Sequence, residues 1–437
     1  MRGNDVISRV DSRKPELMAP AGDHTSLSAA LQAGADAVYF GLGTFNMRAN
    51  AGNFSAHELD AVVKKIHDAG AKAYLTLNTI MLPKDGAKLR RTIATAARAG
   101  IDAVIAWDFS VIEAARHAGL DVYISTQMSV SNAPSILFFH RNLGIRRFVL
   151  ARECSLGDIR SIRRALVKEL GINAGGIEIE VFAHGAMCLS VSGRCQLSQF
   201  QFGKSANRGE CGQPCRRRYT ISEAREGYAL EVGDDFILSP KDLCTLPFLE
   251  KLFSAGVDSL KIEGRQRSAE YVATVTRAYR RIIDLWFEWP HPGDFARQFA
   301  AAQKEEMAHL QKVFNRGFSS GFYLGKPIDE WSAQDTQATH RKQYVGEVVN
   351  YYKKPGVAAV RLDGAGIAVG DEIMIHGPTT GVREAVVSSI EADFCPVRQA
   401  EKGKTVGITF PELVRPGDKL YRMNLIAGVA SPKIERI

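Results

Sequence analysis

One short pattern recurs four times in the first two-thirds of the chain and constrains the fold more than any other feature. Each copy joins a helix end, marked by glycine, to a short apolar strand, and the copies begin at Ala33, Ala99, Leu143 and Ala255. Glycine is typical of the position that ends a helix, because it tolerates the left-handed backbone found there. Short apolar strands that alternate with helices predict parallel βαβ units, so we expect an α/β protein.

The number of apolar runs predicts the architecture. Eight strands, each followed by a helix or a longer excursion, favour a TIM-like (β/α)8 barrel. An open doubly wound sheet is the alternative, but the chain lacks the G-x-G-x-x-G turn that would support it. The predicted strands cover residues 16–20, 37–41, 72–77, 103–107, 122–126, 147–151, 177–183 and 259–263, and helices are predicted at 55–69, 87–99 and 155–169.

The whole chain divides into four predicted regions. A polar N-terminal tail at 1–14 precedes the barrel at 15–290, which carries a cysteine-rich insertion after strand seven, at 184–220. A connector at 291–342 combines a charged helix with a patch of glycine and aromatic residues. From 343 to 437, short alternating runs separated by Gly and Pro predict a small all-β domain resembling a β-barrel.

Composition excludes several classes of protein. The chain has 437 residues, 45% hydrophobic and 24% charged, which is too apolar for a disordered protein. No stretch approaches the ~18 apolar residues of a membrane span, and the N-terminus lacks the apolar centre of a signal peptide. We therefore expect a cytoplasmic protein without membrane insertion. The net charge of +8 permits a polyanionic partner such as RNA, and a homo- or hetero-oligomer is possible.

Seven cysteines form the strongest local signal, because four of them fall within 28 residues in the pattern C-x6-C-x15-C-x3-C. Those four are Cys188, Cys195, Cys211 and Cys215. In a reducing compartment such a group indicates metal binding or redox chemistry rather than disulfides. Cys244 is a possible fifth ligand, although we interpret it as a small buried residue at a helix start. Cys154 and Cys395 stand alone and are interpreted as structural.

The spacing alone leaves the metal open. Structural zinc sites usually use short pairs such as C-x2-C, which only the last two cysteines approach. Irregular thiolate-only spacing fits an iron–sulfur cluster at least as well. Both metals, and the absence of a metal, therefore remain alternatives at this point.

Three segments resemble peptidase family U32, the collagenase-like proteins. The first is Pro-Glu-Leu-Met-Ala-Pro-Ala-Gly at 15–22, and the second is Glu-Val-Phe-Ala-His-Gly-Ala-Met-Cys at 180–188 with Ser-Gly-Arg-Cys at 192–195. The third is Lys-Ile-Glu-Gly-Arg at 261–265, followed by Tyr271. The resemblance covers nearly the whole chain, and its layout is most similar to the branch that makes 5-hydroxyuridine at the tRNA wobble position.

The resemblance implies an activity that the family's name does not suggest. It implies a [4Fe–4S] cluster on Cys188, Cys195, Cys211 and Cys215 that supports hydroxylation of RNA without O₂. In the tRNA branch the hydroxyl donor is linked to prephenate, so prephenate or a derived compound is a candidate co-substrate and tRNA the candidate partner. Other members hydroxylate ribosomal RNA or act on a quinone precursor, and these remain alternative substrates.

Two residues after the predicted strands are candidate catalytic groups, because a TIM barrel performs its chemistry at the carboxyl ends of its strands. His184 and Glu263 are assigned proton handling or substrate orientation. The alternative is that each only fixes the neighbouring loop. A nucleophile pair of Cys188 with His184 is conceivable, but no third group that would orient the base is evident.

Four arginines are candidate substrate-binding residues. Arg152 and Arg265 follow predicted strands and could grip a carboxylated co-substrate with two hydrogen bonds each. Arg216 and Arg218 belong to a basic run beside the cysteines and could contact phosphates, unless the run is simply a solvated loop.

Two other functions compete with RNA hydroxylation. A peptidase needs an activated nucleophile or a hydrolytic metal, and the sequence contains neither G-x-S-x-G nor H-E-x-x-H. A non-enzymatic RNA-binding protein would use zinc only for structure. The presence of an iron–sulfur cluster would favour RNA hydroxylation over both the peptidase and the non-enzymatic RNA-binding protein.

Overall fold

Eight parallel strands close into a barrel in the computed structural model, which describes residues 13–217, 219, 221–222, 229–230, 236–289, 292–328, 330–333 and 335–426. Each strand pairs with the next one along the chain, and the eighth pairs with both the seventh and the first. This closure confirms the TIM-like barrel and shows that the open-sheet alternative is wrong. The strands are Glu16–Pro20 (β1), Ala37–Phe40 (β2), Lys72–Thr76 (β3), Ala103–Ala106 (β4), Asp121–Ile124 (β5), Arg147–Val149 (β6), Glu178–Ala186 (β7) and Ser259–Ile262 (β8).

The strands are short apolar runs because both of their faces are buried. In β1, Leu17 packs into the layer between strands and helices, whereas Met18 points into the barrel with Tyr39 and Tyr74. At the amino-terminal end of the barrel the interior is charged rather than apolar. There the buried Arg147 lies 2.7 Å from Glu16 and 2.7 Å from Glu178 through its Nη1 and Nε atoms.

Ten α-helices are described, and most of them surround the barrel. The helix predicted at 55–69 begins only at Leu59, because residues 55–58 form a turn in which the Glu58 carboxylate accepts the Ser55 N–H. The helices predicted at 87–99 and 155–169 are displaced by one residue. The helices are His24–Gln32 (α1), Leu59–Asp68 (α2), Gly86–Arg98 (α3), Phe109–His117 (α4), Ala133–Leu143 (α5), Leu156–Leu170 (α6), Leu197–Phe202 (α7), Leu249–Ser254 (α8), Ala269–Glu288 (α9) and Phe295–Lys312 (α10).

The seventh barrel strand extends beyond its predicted end. It continues to Ala186 because the later strand Asp242–Cys244 pairs antiparallel with its last residues. Phe318–Ser319 then adds a parallel strand outside Asp242–Cys244, and Phe236–Pro240 pairs with Trp331–Ser332. The chain after α10 therefore returns to the mouth of the barrel, beside the cysteine-rich segment. No helix within the described ranges is long and apolar enough to cross a membrane.

The C-terminal part is all-β, as predicted, and begins at His340. Its main sheet is antiparallel, with its own apolar core. This module packs against α1 and α9 through Ala29, Ala273 and Met374, and Lys342 lies 2.8 Å from Glu270 on α9. In sheet order, the strands are Gly381–Val386, Glu372–Gly377, Lys419–Leu425, His340–Tyr352, Val357–Arg361, Thr405–Thr409, Ile390–Ala392 and Cys395–Val397.

Candidate functional site

The segment after β7 folds over the barrel mouth and lines a cavity, here called the cysteine chamber. All four predicted ligands, Cys188, Cys195, Cys211 and Cys215, line its wall as half-buried free thiols. No carboxylate or imidazole is among the described groups that line it, so sulfur is its metal-ligating chemistry. Cys244 is buried in the barrel wall, with its Sγ 3.7 Å from the Met307 sulfur.

Hydrogen bonds within the segment hold the cysteines in place. The Cys195 N–H donates to the Asn207 side chain at 3.1 Å, and the backbone oxygen of Asn207 accepts the Ile80 N–H. Gly209 has a φ of +94°, and the backbone oxygen of Asn46 occupies the space that a Cβ at Gly209 would need. Glycine at this position therefore allows the segment to lie directly on the loop after β2.

Two of the sulfur atoms have hydrogen-bond donors beside them. The Leu197 N–H lies 3.4 Å from the Cys195 Sγ, and the Ser198 hydroxyl lies 3.9 Å from the Cys211 Sγ. Such donors stabilise a thiolate, which is the form of cysteine that binds a metal. Within the described part of the chain, no three His, Cys, Asp or Glu side chains stand close enough together to hold a single metal ion. The four thiols are thus distributed around the chamber wall rather than gathered at one point.

Arg216 supports the segment instead of facing solvent. Its guanidinium donates to the Ser239 hydroxyl at 2.7 Å, to the Pro240 carbonyl at 2.8 Å and to the Met187 carbonyl. It thereby ties the residue before Cys188 to the strand Phe236–Pro240. Three of the five N–H groups of Arg216 are engaged in this way, so the side chain holds the segment in place, and the phosphate contact predicted for it stays a prediction. The other member of that prediction, Arg218, lies outside the described residues.

A second cavity, the mouth cavity, lies inside the barrel end and borders the cysteine chamber. Four side chains line both spaces: Met47, Arg48, Gln127 and Arg152. The remaining lining of the mouth cavity is mostly polar and includes Tyr39, Thr76, Asn78, Ser125, Thr126, Lys261, Glu263 and Arg265. A polar pocket beside a thiol-lined chamber is a suitable place for a substrate.

Glu263 is the carboxylate of the mouth cavity. Arg48 donates to its Oε1 atom at 2.7 Å from Nη2 and 3.2 Å from Nε, and the Tyr39 hydroxyl lies 3.4 Å from Oε2. Burial alone would raise the pKa of Glu263, but Arg48 and Arg152 outweigh it and lower the pKa to about 2. Glu263 is therefore ionised at neutral pH and suits orientation or charge balance better than proton donation.

Two predicted arginines do lie in the mouth cavity. Arg265 is 4% exposed, and its guanidinium donates to Thr76 and Asn46 at 3.0 Å each and also to Asn53. Its Nε has no hydrogen-bond partner within the described structure. Burial lowers the pKa of Arg265 to about 10, so it stays charged at neutral pH. Arg152 stacks over the Phe182 ring at 4.3 Å and faces both cavities.

His184 lies in the barrel wall and lines neither cavity. Its ring packs among Tyr271, Tyr279 and Phe318, and its Nδ1 is 3.4 Å from the Tyr279 hydroxyl. Burial lowers the pKa of His184 to about 3, so the ring is neutral at physiological pH. This position suits a residue that supports β7, the alternative role considered above, rather than one that exchanges protons with a substrate.

Sequence analysis missed Arg48 and Tyr39. Arg48 comes from the long loop after β2 and reaches Glu263, 215 positions away in sequence. No local motif marks it, because Arg48 does not directly follow a predicted strand. Tyr39 lies inside β2, where its aromatic ring is indistinguishable in sequence from a core residue.

Known proteins that resemble this chain fall into two functional groups. Residues 22–333 match the model of peptidase family U32. A "Collagenase" from Porphyromonas gingivalis is 41% identical over 413 residues, covering 94% of this chain and 98% of that protein. The "tRNA hydroxylation protein P1" of Bacillus subtilis is 35% identical over 391 residues, covering 86% of this chain and 88% of that protein.

A third relative shares a smaller part of its length. The "23S rRNA 5-hydroxycytidine C2501 synthase" of Escherichia coli is 35% identical over 339 residues, covering 74% of this chain and 49% of that protein. The family match spans well over half of the present sequence, including β2 to β8 of the barrel and the four cysteines of the chamber. The chain therefore belongs to peptidase family U32.

Proposed function

We propose that this protein hydroxylates RNA with an iron–sulfur cluster held in the cysteine chamber, without using O₂. The observation that carries the proposal is the adjacency of two cavities that share four lining residues, one lined by four thiols and one lined by polar and cationic groups. The names of the Bacillus subtilis and Escherichia coli relatives support RNA as the substrate class. The finer proposal is 5-hydroxyuridine at the tRNA wobble position.

Four thiols line the cysteine chamber, with no carboxylate or imidazole among the described groups of its lining, and four thiolates are the ligand set of a cluster whose irons each take one. Cys188, Cys195, Cys211 and Cys215 would hold a [4Fe–4S] cluster, and the cluster when bound would supply electron-transfer chemistry. Arginines 48, 152, 216, 267 and 316 also line this chamber and would balance the negative charge of the thiolates.

The mouth cavity would bind the target base and its oxygen donor. Asn78, Ser125 and Gln127 present amide and hydroxyl groups able to pair with the edge of a pyrimidine. A wobble base lies in a single-stranded loop, so its extrusion into the pocket costs little. Replacing C5–H by C5–OH removes two electrons from the base and adds one oxygen atom, so the donor must accept those electrons. Arg152 and Arg265 would bind such a donor through carboxylate groups, as a prephenate-like compound provides.

The outer surface of the cysteine-rich segment suits single-stranded RNA. Phe200 is 84% exposed, and Val191 is 60% exposed. The cations Arg194, Lys204 and Arg217 are exposed on the same segment. Exposed aromatic rings beside cations bind single-stranded nucleic acid by stacking on bases and neutralising phosphates.

A peptidase is the second candidate, because the Porphyromonas gingivalis collagenase matches almost the full length of the chain. The site geometry gives that activity little support. His184, the imidazole nearest in sequence to Cys188, is directed to Tyr279 and lines neither cavity. Peptide cleavage that survives both Cys188→Ala and Cys211→Ala would nevertheless establish a peptidase independent of the cysteine chamber.

The test is mass spectrometry of RNA nucleosides from a strain that lacks the gene. We expect one hydroxylated pyrimidine nucleoside to disappear from tRNA and to return with the wild-type gene. Cys211→Ser should fail to restore it, whereas Cys244→Ser, a thiol outside the chamber, should restore it. Unchanged nucleosides in the tRNA and ribosomal RNA of the deletion strain would contradict RNA hydroxylation.

A further inference from the structure

One face of α3 carries a row of exposed cations, here called the α3 basic row. It consists of Lys84, in the turn that leads into the helix, followed by Lys88, Arg91 and Arg98. Spacings of four, three and seven residues place side chains on the same side of a helix. The opposite face of α3, with Leu89 and Ile93, is buried against the barrel.

The row is not balanced by acidic groups. The helix itself contains no Asp or Glu, in contrast to α2 and α6. Among the described residues, no carboxylate forms an ion pair with any member of the row. Asp85, at the start of the helix, is paired with Arg208 at 2.8 Å and cannot neutralise the row as well. Four cations with no ion-pair partner among the described residues therefore create a positive potential along this face.

The row begins at the rim of the cysteine chamber. The Arg208–Asp85 ion pair joins the cysteine-rich segment to the turn that leads into α3, and Arg208 also donates to the Ile80 carbonyl at 2.9 Å. Asn207, the residue before Arg208, accepts a hydrogen bond from the backbone N–H of Cys195, one of the four chamber cysteines. The ammonium of Lys88 lies 5.7 Å from the ring of Phe45, in the loop that also carries Arg48. From this rim the row extends about 20 Å down the side of the barrel, at 1.5 Å per helical residue.

We propose that the α3 basic row binds the phosphates of the RNA strand that leads away from the nucleotide in the mouth cavity. This inference rests on the proposed RNA hydroxylation and adds the surface along which the substrate lies. RNA is the occupant that fits, because a linear row of unpaired cations matches a linear row of phosphates. The row is fixed at one end to the chamber, so the bound strand is aligned with the reactive base. It provides affinity and orientation without reading the sequence.

The test is the salt dependence of tRNA binding by the full-length protein. The triple variant Lys84→Gln, Lys88→Gln, Arg91→Gln removes three charges and keeps long polar side chains. Fluorescein-labelled total tRNA, titrated at several salt concentrations and followed by anisotropy, gives the slope of log affinity against log salt. The slope is negative, and each lost phosphate contact reduces its magnitude by about 0.7 to 0.9. For the three lost charges we expect its magnitude to fall by about 2. If the plots of log affinity against log salt for the wild type and the variant meet near 1 M, the variant binds tRNA about 100-fold more weakly at about 0.1 M salt.

Helix α6 offers a matched control. Arg160, Arg164 and Lys168 are exposed on one of its faces at helical spacing, and the helix also carries Asp158 and Glu169. The corresponding triple Gln variant loses the same charge, so we expect its binding slope to stay close to wild type. Equal slopes for the α3 variant and the wild type would overturn the proposal, and so would an equal loss in both variants. Circular dichroism and iron content should remain unchanged in both.

The outcome is separable from that of the proposed function. If deletion of the gene removes no hydroxylated nucleoside, the proposed activity fails whatever the binding data show. If deletion removes the nucleoside but the α3 variant binds tRNA as tightly as wild type, only the assignment of this surface fails.

Discussion

Glu263 provides the sharpest test of the mouth cavity's electrostatics, because its side chain is 14% exposed and is held by Arg48. Glu263→Gln keeps the shape of the side chain and removes its charge. The pKa of Glu263 in the folded protein is about 2, against an ordinary value of 4.5. That difference corresponds to about 3 kcal/mol of the free energy of unfolding at neutral pH.

The sign of the pH dependence follows from the direction of the shift. Because the folded state lowers the pKa, the stabilisation is fully present above pH 4.5 and is lost as pH falls through about 2. At about pH 3 the carboxylate still contributes about 1 kcal/mol. The difference in unfolding free energy between wild type and Glu263→Gln should therefore be about 3 kcal/mol at pH 6 and about 1 kcal/mol at pH 3.

Urea unfolding, followed by tryptophan fluorescence and far-UV circular dichroism at both pH values, measures this difference. Asp68→Asn is the control, since Asp68 pairs with Lys64 at 2.8 Å on the exposed face of α2. An exposed pair contributes about 0 to 1 kcal/mol, so the control should differ little from wild type. If the unfolding free energies of wild type and Glu263→Gln differ by the same amount at pH 6 and at pH 3, the assignment of a buried, ionised Glu263 is refuted.

Three further substitutions test the cysteine-rich segment. Gly209→Ala should lower the free energy of unfolding by about 1–3 kcal/mol and reduce iron retention, because Gly209 has a positive φ and the Asn46 backbone oxygen lies where the new Cβ would be. Gly203→Ala is the control and should lower stability less, because a Cβ at Gly203 meets nothing within 4 Å. Arg216→Lys should release iron faster in air while leaving tRNA affinity unchanged, since Arg216 holds the chain beside the chamber. Phe200→Ala should weaken tRNA binding by about 1–3 kcal/mol in anisotropy titrations and leave the iron content unchanged. Normal iron retention in Gly209→Ala, unchanged iron loss in Arg216→Lys or unchanged affinity in Phe200→Ala would contradict the corresponding role.

The barrel could be predicted from the sequence because its signals are local. Each copy of the repeated pattern contains a helix end, a glycine and an apolar strand within about ten residues, and closure follows from their number. The crowding of four cysteines in one segment was equally visible. The structure adds that all four line a single chamber and that this chamber borders the cavity at the barrel mouth.

The contacts that define the mouth cavity could not be predicted because they join distant parts of the chain. Arg48 reaches Glu263 from a loop with no recognisable motif, and Arg265 is positioned by Asn46 and Asn53 from the same loop. For His184, by contrast, the local sequence pattern predicted a position that the structure does not show. Its place after a predicted strand end suggested the mouth, but β7 continues past it because Cys244 pairs with it on the neighbouring strand. The imidazole is consequently buried in the wall.

The central claim is that the four chamber cysteines hold an iron–sulfur cluster. Its most direct test is the iron and acid-labile sulfide content of the anaerobically purified protein. We predict about four iron atoms and about four sulfides per chain, with a brown colour and absorbance near ~400 nm. Cys195→Ser should lower this content, and Cys244→Ser should leave it unchanged. A colourless protein that contains one zinc ion per chain would contradict the claim.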